Sequence, residues 1–307
     1  MNSKSFQHVN ARWRAFFFVA ALFVFLPTFV WLFDAWQSDP YYSHGPLVVL
    51  VSLYFFWTRR RVIARTASEA KQDEAIPLLR GDCFASARLA MTSNNFGFAL
   101  LAIALALHLY AITWRAYYIS ALMIPLALLG LLVVLYGARI AKNFLFPLAF
   151  LVLMVPLPLA EQIGPVLEGW TAASATALAQ IFGVPATNNG SQVFLANSAF
   201  TVGIPCGGLR SLIAMITLTT LFAYIMQGAA WARGAIFCAA IPIALAANTL
   251  RIALLFFVAQ QWGADAGLTF FDSWSGSVLF FAAFAMLLLA AKAIGLRRVR
   301  WQVVLPQ

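Results

Sequence analysis

Of 307 residues, 63% are hydrophobic and only 10% charged, with a mean hydropathy of +0.86. A soluble domain is about half apolar and a quarter charged, so that class is excluded and most of the chain is committed to lipid or to a helix bundle within it. The formal net charge of +10 invites a nucleic-acid reading, but Lys and Arg gather in short clusters between apolar runs. That is the pattern of cytoplasmic loops, so no nucleic-acid partner is expected.

A bilayer core takes about 20 apolar residues per helix, fewer where the ends snorkel. Eight runs qualify as spans: 14–34, 45–58, 96–114, 117–136, 143–159, 207–227, 234–259 and 272–291. The first apolar stretch, Ala15 to Phe33, is too long for a signal-peptide core and has no small-residue cleavage site behind it, so it reads as a retained helix. Between the first two spans stands Tyr42-Ser43-His44-Gly45, whose histidine alone means little, since loop histidines are more often solvated than catalytic. The second run is short and ends at Arg59-Arg60-Arg61. Residues 59–95 follow as a polar cytoplasmic loop with no apolar period. His108, inside the third run, reads as a helix-packing hydrogen-bonder. The fifth run carries Pro147, Pro156 and Pro158 and is expected to kink or break.

With the N-terminus inside, 17 of the 20 basic residues fall in cytoplasmic segments and only Arg115 in an outer loop. This asymmetry places both termini in the cytoplasm and the protein, multi-pass, in the cell inner membrane. Residues 160–205 then form an extracytoplasmic (periplasmic) segment. Within it Ile163, Val166, Leu167, Trp170, Ser174, Ala177, Leu178 and Ile181 recur at three- and four-residue spacing. They suggest an amphipathic helix on the membrane surface or capping the bundle. Gln192–Leu195 and Phe200–Ile204, flanking Asn197-Ser198, can make a small hairpin. The fold class is therefore an all-α polytopic membrane protein of about eight transmembrane helices, forming one membrane domain over 1–307.

Polar residues within this chain need a reason. An ionisable side chain at mid-bilayer costs about 2.5–3.5 kcal/mol or more. Arg251 lies well inside the seventh run, about 10 Å from its outer end, with Asn248 three residues earlier on the same helix face. Cys206 stands in Ile204-Pro205-Cys206-Gly207-Gly208-Leu209-Arg210-Ser211, where the outer segment meets the sixth run. The two glycines permit an unusual turn, and a thiol at a helix start near cations is expected to be partly thiolate. Arg210 is expected on its face, four residues on. Cys83 and Cys238 lie toward the cytoplasmic side, so Cys206 is expected to be a free thiol. Asp272 opens the eighth run. The structural alternatives stay open: a small buried hydrophobe for Cys206, a neutralised structural cation for Arg251, and an N-cap or an Arg251 partner for Asp272. The three histidines stand at different levels, so neither a metal nor another cofactor is expected.

Taken together, Cys-x-Gly-Leu-Arg-Ser at the head of a span, Asn-x-x-Arg-Ile in the next and a polar residue four before a glycine in the last resemble the exosortase/archaeosortase family. Tyr42-Ser43-His44-Gly45-Pro46-Leu47-Val48 is similar to its N-terminal stretch, and Phe146 through Pro158 to its central segment. The likeness runs from about 40 to 290. It implies a membrane transpeptidase or protease. Such enzymes process, at the outer membrane surface, proteins ending in a Pro-Glu-Pro-type (PEP-CTERM) motif, a transmembrane helix and a basic tail. They often occur in bacteria that secrete exopolysaccharide, so sorting-signal-bearing proteins, membrane lipid and exopolysaccharide-associated proteins are the implied partners. By position, Cys206 matches the nucleophile that forms an acyl-thioester and Arg251 the catalytic arginine, assigned as proton donor. Asp272 stands where the family has histidine or arginine; an ionised carboxylate would repel an oxyanion. Arg210, Asn248 and His44 are supporting candidates, His44 as the missing donor. The rival readings are a diverged, non-catalytic member in exopolysaccharide export and an anion transporter with Asp272 as gate.

Overall fold

The computed structural model describes residues 11–60, 83–203 and 206–305, and the chain divides into two compact units, Met1–Pro156 with Trp301–Gln307 and Leu157–Arg300.

In the first unit the run expected as one straight span is broken. Its pieces Phe16–Val24 and Leu26–Ser38 meet at 59°. Pro27 is the cause, since it sits in the first turn of the second piece and has no N–H to continue the ladder. Helices Cys83–Thr113 and Tyr117–Tyr136 form an antiparallel pair joined by a tight turn at Arg115, whose φ is +55°. They approach backbone to backbone: a methyl group on Gly130 would stand 2.8 Å from the Leu101 nitrogen and 3.1 Å from the Gly97 carbonyl oxygen. Small residues at such crossings permit the close packing that holds helices together in lipid. His108 bonds across this unit, to Ser120 Oγ at 2.7 Å and to the Val24 carbonyl at 3.1 Å. The loop expected over 59–95 lies mostly outside the described residues; from Cys83 the backbone is helical.

The fifth run, 143–159, is not a continuous helix. It is divided into a 3-10 turn at Lys142–Phe144, a short helix Leu145–Phe150 and a second 3-10 turn at Leu151–Met154. Pro147 interrupts the ladder, and Val155, ahead of Pro156, is pushed to an extended φ of −84° and ψ of 122°. Among the described residues four helices are long and apolar enough to cross a membrane: Asn95–Thr113, Tyr117–Tyr136, Ala230–Trp262 and Gly276–Ala293. The bent pair makes a fifth, whereas Gly45–Thr58 and Leu209–Ile225 are apolar but shorter. The described residues thus form a polytopic all-α membrane protein, and the count of eight spans is corrected to four or five.

The second unit is built around the long helix Ala230–Trp262. Its buried residues Ala232, Ile236, Ala240, Ala244, Asn248, Ile252 and Phe256 recur every four positions and make one continuous stripe. Toward the N-terminal half the stripe packs with Met215, Ala283, Leu287 and Ala291 of helices Leu209–Ile225 and Gly276–Ala293. Toward the C-terminal half it packs with Ala172, Ala175 and Ala179 of helix Leu159–Ile181 and with a small sheet. In that sheet β1 (Thr187–Asn189), β2 (Gln192–Phe194) and β3 (Ala199–Thr201) run antiparallel in the order β1-β2-β3. The β2–β3 pair is the expected hairpin, with Val193 opposite Phe200.

Helix Leu159–Ile181 is present, and the face it buries in the protein is the one with the small residues. Gly164, Thr171, Ala172, Ala175 and Ala179 face inward, while Val166, Trp170 and Ile181 are 68%, 57% and 79% exposed. Periodicity alone marks a face as different, not as inward. In a membrane protein the bulky apolar face can meet lipid and the small-residue face can meet protein.

Candidate functional site

Cys206 precedes its helix. Its N–H and that of Gly207 both donate to the Gly203 carbonyl, at 2.8 and 3.0 Å, which closes a turn before helix Leu209–Ile225 begins. Gly208 caps that helix in the left-handed region at φ +84°, where only glycine sits without strain. A methyl group there would also come within 2.7 Å of Asn248 Nδ2. That same amide donates to the Cys206 carbonyl at 2.9 Å. Asn248, 4% exposed on the buried stripe of the long helix, is therefore what fixes the cysteine turn.

This arrangement corrects two expectations. Cys206 is not in the helix, so Arg210 does not share a face with it by helical spacing; Arg210 is exposed in the first turn. Nor do the surroundings lower the thiol's pKa overall. Burial pushes the half-buried Cys206 above the ordinary cysteine pKa, while the positive charge of Arg251 and the Gly203 backbone pull it down, and the negative charges of Asp272 and Glu168 push it up again.

Arg251 follows Asn248 by three residues on the long helix. The helix continues to Trp262, so Arg251 lies about 16 Å from its C-terminal end at 1.5 Å per residue, deeper than expected. Its guanidinium is held by the returning segment. After Gly263, at φ +93°, the chain turns into helix Ala264–Phe270, with Gly267 packed on Leu255 and Ala259. It then passes through a π-helical turn, Phe271–Ser275, into helix Gly276–Ala293. The π turn presents the Phe271 carbonyl, which accepts from Arg251 Nη2 at 3.1 Å and from Ser275 Oγ at 3.3 Å. The Phe271 ring lies under the guanidinium, 3.8 Å from Cζ to the centroid. A methyl group on Gly276 would also be 3.1 Å from Cζ. The guanidinium is thus clamped, yet its Nε is buried without a hydrogen-bond partner among the described residues. A groove lined by Ser211, Asn248, Arg251, Gly276 and Phe280 opens beside it.

Asp272 is not a helix N-cap: it sits inside the π turn, exposed, with no capping bond. Among the described residues it forms no ion pair with Arg251, whose hydrogen bond goes to the Phe271 carbonyl. His44 belongs to the first unit, at the head of helix Gly45–Thr58, where it bonds the backbone at Leu153 and Tyr41 and burial lowers its pKa. No group of three His, Cys, Asp or Glu side chains among the described residues can hold a metal ion.

Glu168 gave no signal in the sequence, where it falls among the apolar positions of helix Leu159–Ile181. In the structure its Cγ would stand 3.1 Å from a methyl group on Gly207. One turn on, Thr171 Oγ1 donates to the Gly207 carbonyl at 3.3 Å. The cysteine turn lies directly on this helix.

The sequence model of the transmembrane exosortase family matches residues 36–289. No curated protein and no solved structure matches the chain.

Proposed function

The chain belongs to the transmembrane exosortase family, a family of membrane sorting transpeptidases, and from that premise we propose that it is a cysteine transpeptidase with Cys206 as nucleophile. Its substrates carry a C-terminal sorting signal of the Pro-Glu-Pro type. The positive-inside distribution of Lys and Arg supports processing on the periplasmic side of the inner membrane, with both termini cytoplasmic.

The observation that carries this reading is that one helix, Ala230–Trp262, both fixes the thiol turn through Asn248 and carries the cation Arg251 one turn further along. Asn248 bonds the Cys206 carbonyl, and Arg251, whose charge acts on the Cys206 thiol, lines the groove beside Asn248. The guanidinium at that groove suits a developing oxyanion, whose stabilisation is the largest single contribution in many acyl transfers. An arginine is a poor proton donor because its guanidinium does not give up its proton at accessible pH. Arg251 therefore stabilises charge, and the proton travels by another route.

The thiol of Cys206 loses its proton to the exposed Asp272 carboxylate as sulfur attacks the substrate carbonyl. The proton passes to the departing amine when the C–N bond breaks, leaving an acyl-thioester on Cys206. A carboxylate at this position thus serves as proton carrier rather than as oxyanion donor. Cys206→Ala is expected to leave the protein inserted and folded but to abolish maturation of a sorting-signal reporter. Unchanged processing by that variant would end the proposal. Asp272→His and Asp272→Ala, read by the mass of the processed C-terminus, separate the two roles. Loss with both gives the carboxylate its own function, while gain with His identifies a donor site.

A further inference from the structure

The geometry points to Glu168 as an acceptor subsite for a primary ammonium, the group that takes the acyl chain from Cys206. This rests on the transpeptidase reading above and names the second half of its reaction. Helix Leu159–Ile181 buries a face of Gly164, Thr171, Ala172, Ala175 and Ala179. Of the helix's two acidic residues Glu161 is exposed, whereas Glu168, on that face, is half-buried and makes no hydrogen bond or ion pair with the described residues. Its oxygens are not sealed from the surroundings, and with no cation of the described residues paired to them they are open to a cationic group from outside the chain.

The same carboxylate is tied to the nucleophile by packing. Gly207 has no side chain, which lets the residue next to Cys206 rest on Glu168 Cγ, and Thr171 fastens the Gly207 carbonyl one turn further along. The negative charge of Glu168 reaches the Cys206 thiol. Arg251 bonds the Phe271 carbonyl and lies over its ring, and among the described residues no ion pair joins Glu168 to Arg251 or to the exposed Arg210.

Amines are ammonium ions near neutral pH and must lose a proton before attack. The step balances as follows. The ammonium binds Glu168 and gives one proton to its carboxylate. The neutral amine forms a C–N bond to the thioester carbonyl, and the C–S bond breaks. The departing sulfur takes the second amine proton, restoring the Cys206 thiol, and Glu168 releases its proton to water.

The test is a competition within one acyl-enzyme. The purified full chain is given a reporter protein ending in a Pro-Glu-Pro-type motif, a transmembrane helix and a basic tail. Ethanolamine and hydroxylamine are present together, and both products are quantified by mass. Hydroxylamine is uncharged near neutral pH and needs no base. In Glu168→Gln the ethanolamine-to-hydroxylamine product ratio is expected to fall about 100-fold, the low end of what a positioned base contributes. The deficit should shrink as pH rises toward the amine's own pKa, and Glu168→Asp should restore part of the ratio. A ratio within twofold of the parent overturns the subsite, as does parallel loss of both products in Glu168→Gln, which would make the residue a brace. If the parent itself forms neither product, the transpeptidase reading fails, and the subsite with it.

Discussion

Replacing Phe271 by leucine isolates the ring under the guanidinium. The change keeps the backbone carbonyl that bonds Arg251 Nη2 at 3.1 Å and most of the buried volume, but removes the π face 3.8 Å from Cζ. A desolvated cation–π contact contributes about 2 kcal/mol, which corresponds to roughly a 30-fold factor. Volume-conserving core swaps cost less than about 1.5 kcal/mol of stability, so folding should survive. Two assays read the effect: kcat/KM for a sorting-signal reporter, and the pH profile of Cys206 alkylation by a neutral maleimide. With the cation loosened, turnover should drop about 10- to 30-fold, and the alkylation midpoint should move to higher pH, because Arg251 is what pulls the thiol down. Phe271→Tyr keeps a π face and should lose far less. A leucine variant with turnover and midpoint both within experimental error of the parent would refute the clamp.

Three further expectations follow from the same geometry. Burial raises the Cys206 pKa above the ordinary cysteine value, so alkylation near neutral pH should be slower than for an exposed cysteine and should rise with a midpoint above that of the unfolded chain; Arg251→Ala should move it higher still, and a midpoint at or below that of the unfolded chain would contradict the account. Gly208→Ala places a methyl at φ +84°, at a cost of about 1–2 kcal/mol, and pushes on the amide of Asn248. Asn248→Ala leaves the Cys206 carbonyl unpaired at about 1–3 kcal/mol, and the double variant, with the clash gone, should lose less than the sum in thermal unfolding. Gly130→Leu, at a crossing where even a methyl would meet the Leu101 nitrogen at 2.8 Å, should destabilise by at least about 1–3 kcal/mol; an unchanged melting temperature in detergent would argue against that packing.

Much of this site was legible in the sequence because lipid makes polar residues conspicuous. Cys206 beside two glycines and the Asn248/Arg251 spacing stood out against apolar runs, and the structure places them in one unit. The hairpin was legible from alternation around Asn197-Ser198. What hydropathy could not show was continuity. It joined Phe16–Val24 to Leu26–Ser38 across Pro27, and it read a proline-broken segment at 143–159 as a span. The π turn at Phe271–Ser275 inserts its extra residue without any compositional mark, so Asp272 looked like a helix start when the helix had already begun at Ala264. The turn at Cys206 lies outside helical spacing altogether, which is why a four-residue interval does not put Arg210 on its face. Glu168 was hidden because the helix that carries it buries its small face and exposes its bulky one, the reverse of a water-soluble amphipathic helix.

The most direct test of the central claim is the covalent intermediate itself. The full chain and a sorting-signal reporter, mixed without added amine and quenched in acid, should yield on digestion a peptide containing Cys206 with the reporter's processed end attached as a hydroxylamine-labile thioester. Processed reporter accumulating with Cys206 unmodified throughout, and still accumulating in Cys206→Ala, would contradict the account.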